Sequence, residues 1–251
     1  MRPRFLRGLW KLTWVETKIF AREPMGFVGT LVVPVVVFIA LGRAFGAGKP
    51  GTAAAFDVPF NTAILGALVI AISAVQSLVA IISIYREGGI LKRLRATPLS
   101  PVTILGAHVV VKLGFTLVSL ALLVAAGRRL FPGVMQVNVF SFALAVLLST
   151  FSILALGFVL ASIVPTARFA QPIGAVVLYP MLALSGLFFP VARLPRALQA
   201  AAYLLPTTHA VALLQGVWDG SGWSANWVNA AALLVLFAAY TALATKVFRW
   251  E

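Results

Sequence analysis

The chain has 251 residues, a formal net charge of +14, 61% hydrophobic and 10% charged residues, and a mean hydropathy of +1.03. That composition excludes an ordinary soluble domain. The lack of cysteine excludes disulfides and thiolate metal sites.

Residues 3–22 form the first predicted element. At ~100° per residue, Arg4, Arg7, Lys11, Lys18 and Arg22 fall in one narrow polar stripe, with Phe5, Leu6, Leu9, Leu12, Ile19 and Phe20 on the broad opposite side. Trp10 and Trp14 flank the stripe, where indole rings favour the headgroup level. The segment reads as a helix lying in the membrane interface. A secretory leader is the rival reading. It is disfavoured by the long basic segment, by an apolar run of spanning length and by the lack of a clean cleavage site. Glu16 falls near the centre of the apolar side. It is either a snorkelling carboxylate or one partner of an ion pair with the basic loop discussed below.

A hydrocarbon core of ~30 Å requires ~20 apolar residues per helix. Runs of that kind lie at 26–45, 59–84, 101–126, 138–162, 169–189 and 226–247, predicting six spans in one all-α membrane domain over 1–251. Pro34, Pro165, Pro172 and Pro180 lie in or beside these runs, where proline kinks a membrane helix more often than it ends one.

Between the second and third runs lies Tyr85 to Pro101, YREGGILKRLRATPLSP. Arg86, Lys92, Arg93 and Arg95 place it on the cytoplasmic side. Ile90, Leu91 and Leu94 share one side of a short helix, an apolar edge that solvation does not require and that suits docking. Thr97-Pro98 stops this helix, and Ser100-Pro101 supplies an N-cap and N1 proline for the next. His108, Lys112, Thr116 and Ser119 then make one polar stripe on the third run. Snorkelling with interhelical hydrogen bonds is one reading, and a substrate-path lining is the other.

Pro190, Pro195 and Pro206 divide residues 188–222 into two short helical pieces, about 195–204 and 207–218. Each is too short to span and too apolar for a solvated loop, which predicts a re-entrant pair over 195–218 dipping into the outer leaflet. His209 has no second histidine or carboxylate at ligand spacing, so a structural role outweighs one as ligand or proton carrier.

The charge distribution is topological. Fourteen cations fall on one side (Arg2, Arg4, Arg7, Lys11, Lys18, Arg22, Arg86, Lys92, Arg93, Arg95, Lys112, Arg168, Lys246 and Arg249) and six on the other (Arg43, Lys49, Arg128, Arg129, Arg193 and Arg196). With an even number of spans, both termini are expected in the cytoplasm. No aromatic-studded basic groove argues for nucleic acid. The six acids, Glu16, Glu23, Asp57, Glu87, Asp219 and Glu251, form no paired-carboxylate site. Gly46 to Thr52, GAGKPGT, lacks the phosphate-loop register, so no ATPase site of its own is expected.

REGGILKRLRATPLSP, residues 86–101, resembles the cytoplasmic loop of type-2 ABC exporter permeases (the ABC-2 family), where an acidic residue, glycines and a Leu-basic-basic-Leu segment precede A-T-P-L-S. FFPVARLPRALQAAAYLLPTTHAV, residues 188–211, resembles that family's region before its last span. The resemblance implies a coupling helix at 86–97 that docks in a cleft of a separate ATP-binding subunit through Glu87, Gly88, Leu91, Arg93, Leu94, Pro98 and Leu99. It implies two such subunits holding ATP and Mg, a second permease copy or close homologue, and no cofactor on this chain. It also implies export across a bacterial plasma (inner) membrane of a drug-like or lipid-like substrate, with a polysaccharide or glycolipid as the alternative. Three positions depart from the pattern. His108 stands where a lysine is common, His209 where a tyrosine is, and Gln215 where an arginine is. An ion-coupled secondary transporter is the rival outside the family, but it requires titratable groups or broken helices near the bilayer middle.

Spans one, two and five are expected around the route, with Gly29, Gly42 and Gly66 allowing close helix contact. Its sparse polar candidates are Asn61, Ser73, Gln76, Ser77, Gln171, Tyr179 and Ser185.

Overall fold

The computed structural model describes residues 2–22, 24–45, 62–89, 101–130, 138–164 and 166–247. Among these the regular structure is entirely helical. Helix α1 is Arg2–Arg22; α2 (Pro24–Phe27), a π-helical turn (Val28–Val32) and α3 (Val33–Phe45) follow. Next come α4 (Thr62–Glu87), α5 (Pro101–Leu130), α6 (Val139–Ile163) and α7 (Ala167–Ala183). A short 3₁₀ turn precedes α8 (Arg196–Tyr203), α9 (Pro206–Trp218), α10 (Gly222–Ala225) and α11 (Trp227–Val247).

Four stretches are long and apolar enough to cross a membrane: Ala67–Glu87, Gly106–Leu130, Val139–Ile163 and Trp227–Val247. The number becomes five if the α8–α9 pair, bent by 79°, counts as one broken span. The protein is therefore an integral membrane protein, but two of the six expected runs are modified. The first is interrupted by the π-helical turn, leaving a shorter apolar stretch at Val28–Ala40. Proline explains the break: Pro34 has no N–H to give the carbonyl of Thr30, four residues earlier. Ser119 Oγ on α5 donates to that carbonyl at 3.0 Å instead. The fifth run, expected over 169–189, is helical only to Ala183. Helical bonding stops three residues after Pro180, and the chain turns through Gly186 at φ +88°, a backbone shape that glycine adopts without a Cβ clash.

Helix α4 lies at the centre, packed against α3, α5, α6 and α7. Its Ile64, Leu68, Ile70, Val75, Leu78 and Ile82 belong to one continuous core. A small residue sets the α4–α6 approach: a Cβ at Gly157 would lie 3.0 Å from Val75 Cγ1 and 3.4 Å from Leu78 Cδ2. Helix α6 also packs against α9 and α11, and α9 touches α4. Helix α6 begins at a side-chain cap, with Asn138 Oδ1 accepting from the N–H groups of Phe140 and Ser141.

Two polar side chains of α9 tie down the bent α8–α9 pair. Thr207 Oγ1 donates at 3.0 Å to Met181 O, one of the carbonyls left over where α7 ends. His209 joins α9 to α11 and to the end of α8, with Nδ1 3.1 Å from Asn229 Oδ1 and Nε2 3.0 Å from Tyr203 O. Both ring nitrogens are thus occupied by structural partners.

Candidate functional site

The candidate docking loop begins where α4 ends. The last turn of α4 closes through Gly88 N–H to Ile84 O and Gly89 N–H to Arg86 O. Gly89 sits at φ +66°, the left-handed conformation that ends helices and favours glycine. Of the docking candidates, Glu87 and Gly88 are described and exposed at this turn. Leu91, Arg93, Leu94, Pro98 and Leu99, together with the expected coupling helix itself, lie outside the described residues.

The root of the loop carries two opposite charges in adjacent positions, and each addresses a different helix end. Arg86 donates through Nη1 to Val164 O at 2.8 Å and through Nη2 to Ala161 O at 2.9 Å, at the C-terminal end of α6. Glu87 Oε2 accepts from Ala167 N–H at 3.0 Å, in the first turn of α7. Cation at a C-terminus and anion at an N-terminus are the favourable pairings with the helix dipole. Sequence reasoning counted Arg86 only as a topological cation. The legible signal was the Arg-Glu pair at the end of an apolar run, immediately before Gly-Gly.

A second polar cluster lies where α1, α4 and α5 meet. The face of α1 bearing Glu16 and Phe20 is covered, whereas Trp10 and Trp14 are exposed. Phe20 packs on Phe115 of α5 at 4.5 Å between ring centroids. Tyr85 Oη donates to Glu16 Oε1 at 2.8 Å, and His108 Nδ1 lies 3.5 Å from Glu16 Oε2. Burial pushes the Glu16 carboxyl above its ordinary range, against smaller lowering effects from the Tyr85 hydroxyl and the nearby Lys112 charge. The embedded acid thus finds partners on α4 and α5, among them Tyr85 at the start of the basic segment; residues 90–100 of that segment lie outside the described residues.

The stripe on α5 faces inward. His108, Lys112, Thr116 and Ser119 are all buried. Lys112 Nζ donates to Ser77 Oγ at 2.5 Å and sits 4.0 Å from the Phe20 ring centroid. Lys112 and Ser119 make interhelical hydrogen bonds, whereas Thr116 Oγ1 is buried without one among the described residues; Lys112, only 3% exposed, does not snorkel. Glu16, Phe20, Ser77, His108 and Lys112 line a cavity of about 20 Å³ here, which is room for one water.

The route candidates are not brought together in one place. Ser73 and Gln76 are partly buried on α4, and Gln76 packs its carboxamide over Gly174 of α7, where an added Cβ would overlap it. Among the described residues, Gln76 Oε1 is buried without a hydrogen-bond partner. Ser77 is committed to Lys112. Gln171 and Tyr179 are exposed on α7, and Asn61 lies outside the described residues. Ser185 is buried and closes the turn after α7, its hydroxyl donating to Leu182 O at 2.6 Å. At Gly29 no atom of the described residues lies within 4 Å of an added Cβ.

Comparison with individually curated proteins gives no match. The profile of one known family, described as ABC-2 type transporter, matches residues 7–218, which runs from α1 to the end of α9. The chain belongs to the ABC-2 type transporter family, as a membrane-embedded permease component.

Proposed function

We propose that the protein is the permease subunit of an ATP-driven exporter in a bacterial plasma membrane, with six membrane crossings and both termini in the cytoplasm. The family match over residues 7–218 carries this reading. ATP and Mg are held by a separate ATP-binding subunit, present in two copies beneath a pair of permease chains. Residues 86–97 form the coupling helix, with Leu91 and Leu94 against the partner and Arg93 near an acidic patch on it. Within the crossings, the π-interrupted first run and the 17-residue α7 count as spans one and five. The α8–α9 pair re-enters the outer leaflet.

Spans one, two and five surround the route between the two permease copies. Ser73 and Gln76 on α4 and Gln171 and Tyr179 on α7 are its polar candidates. Sparse polar groups in apolar walls suit an amphipathic drug-like or lipid-like substrate. Ion coupling is a weaker reading. The described acids are Glu16 on the interfacial α1, Glu87 at the last position of the Ala67–Glu87 stretch and Asp219 after α9, none of them near the middle of a spanning segment.

The test is co-isolation of the tagged chain with an ATP-binding subunit from membranes, for native protein and Leu94→Asp. The reading expects the native chain to bring down the subunit and the variant to lose it while inserting normally. Equal recovery by both contradicts it.

A further inference from the structure

Glu87 is one of the docking candidates, and its carboxylate bonds to α7. Only Val164, Pro165 and Thr166 connect α6 to α7. Thr166, the N-cap of α7, offers no side-chain hydrogen bond to the helix. The cap is supplied across the molecule: Glu87 Oε2 takes the Ala167 N–H at 3.0 Å. At the other end of the same connection, Val164 O and Ala161 O are among the carbonyls that α6 leaves over, and Arg86 takes both in a two-pronged contact at 2.8 and 2.9 Å. Successive side chains on a helix diverge by ~100°, so one position points to α6 and the next to α7. The two residues therefore hold the α6–α7 corner from both sides, and the loop starts directly beyond them at Gly88 and Gly89.

We infer that Arg86 and Glu87 are positioning residues that carry displacement of the loop to α7, by clamping the α6–α7 corner to the root of the loop. The inference rests on the permease reading and adds to it a specific mechanical link. A displacement of the α4 end moves charges bonded to both helix termini, so α7 is pulled with it. Helix α7 carries the exposed Gln171 and Tyr179, so the link leads to the helix with the most exposed route candidates. The left-handed Gly89 makes the turn beyond the clamp; the contacts that grip α6 and α7 lie before it.

The chain has no cysteine, so spin labels can be placed at will. Phe169→Cys in the first turn of α7 and Phe140→Cys at the start of α6, both exposed, give one label pair. Their distance distribution is measured in the complex with the ATP-binding subunit, nucleotide-free and ATP-bound with hydrolysis blocked. The expected result is a nucleotide-driven shift in the native background that Arg86→Gln abolishes, with recovery of the complex unchanged. A full shift in that variant overturns the inference. So does loss of the complex in it, because Arg86 then belongs to docking. A native complex whose label distance ignores nucleotide also overturns it, while Leu94→Asp run in parallel shows whether docking through the loop still stands. If Arg86→Gln does not survive extraction, Arg86→Lys, which keeps the charge but cannot make the two-pronged contact, decides: a smaller shift with normal complex recovery supports the link, and a native shift refutes it.

Discussion

Helices α4 and α11 are both unbroken apolar helices long enough to cross a bilayer, yet 61% of the apolar window of α4 is buried inside the protein and 11% of that of α11. Helix α4 is enclosed by α3, α5, α6 and α7, whereas α11 meets mainly α6 and α9. Helix α11 packs along α6, with Leu233 fully buried, Ser152 Oγ donating to Leu233 O at 2.9 Å and Phe151 stacked on Phe237 at 4.1 Å, and it meets the α8–α9 pair through the His209 contact with Asn229 and Tyr240 Oη donating to Leu204 O at 2.9 Å. In lipid, apolar surface alone does little to drive association. The hydropathy of a run therefore reports its ability to cross, not its place in the bundle.

The largest effect that sharpens this contrast is expected at Leu78, which is fully buried on α4. Leu78→Ala is expected to destabilise the purified protein by about 2–5 kcal/mol, measured by thermal or denaturant unfolding in detergent. A loss below that range places α4 at a looser boundary than the packing shows. Next comes the C-terminal end of α4. Glu16→Ala leaves the buried Tyr85 hydroxyl without its acceptor and is expected to cost about 1–3 kcal/mol, with Glu16→Gln recovering part of it by restoring an acceptor. Equal stability for Ala and Gln at this position indicates that the Tyr85 contact contributes nothing.

On the α11 side the effects shrink. Ser152→Ala removes a hydrogen bond between membrane helices, a class worth about 0.6 kcal/mol on average. Val235 is 66% exposed, and Val235→Ala is expected to stay within about 0.5 kcal/mol of native. A loss of the size expected for Leu78→Ala at Val235 means that α11 is covered by another chain, and erases the contrast.

Much of the fold was legible because long apolar runs and proline punctuation act locally. Pro101, Pro195 and Pro206 mark the starts of α5, α8 and α9. Facing direction was less legible. Lys112 stood among the cations of the inside count, but it turns inward to Ser77 and the Phe20 ring, because α1 covers that side of α5. The π turn at Val28–Val32 is readable only once Ser119 is known to lie beside Thr30. Pro180 was read as a kink, yet α7 ends three residues beyond it, with Thr207 from a distant segment available to satisfy the Met181 carbonyl. At the candidate site, the Arg86 and Glu87 contacts span 75 to 80 positions in sequence, so residue type hinted at a cap but could not name the helices capped.

The central claim is that the chain meets an ATP-binding subunit through the loop after α4. Its most direct measurement is site-specific photo-crosslinking in intact membranes, with the photoreactive residue at Leu91 or Leu94 and, as control, at Gly222 in the segment expected outside. The account predicts an adduct with the ATP-binding subunit from both loop positions and none from Gly222. An adduct from Gly222, or none from either leucine in membranes where the two proteins co-isolate, contradicts it.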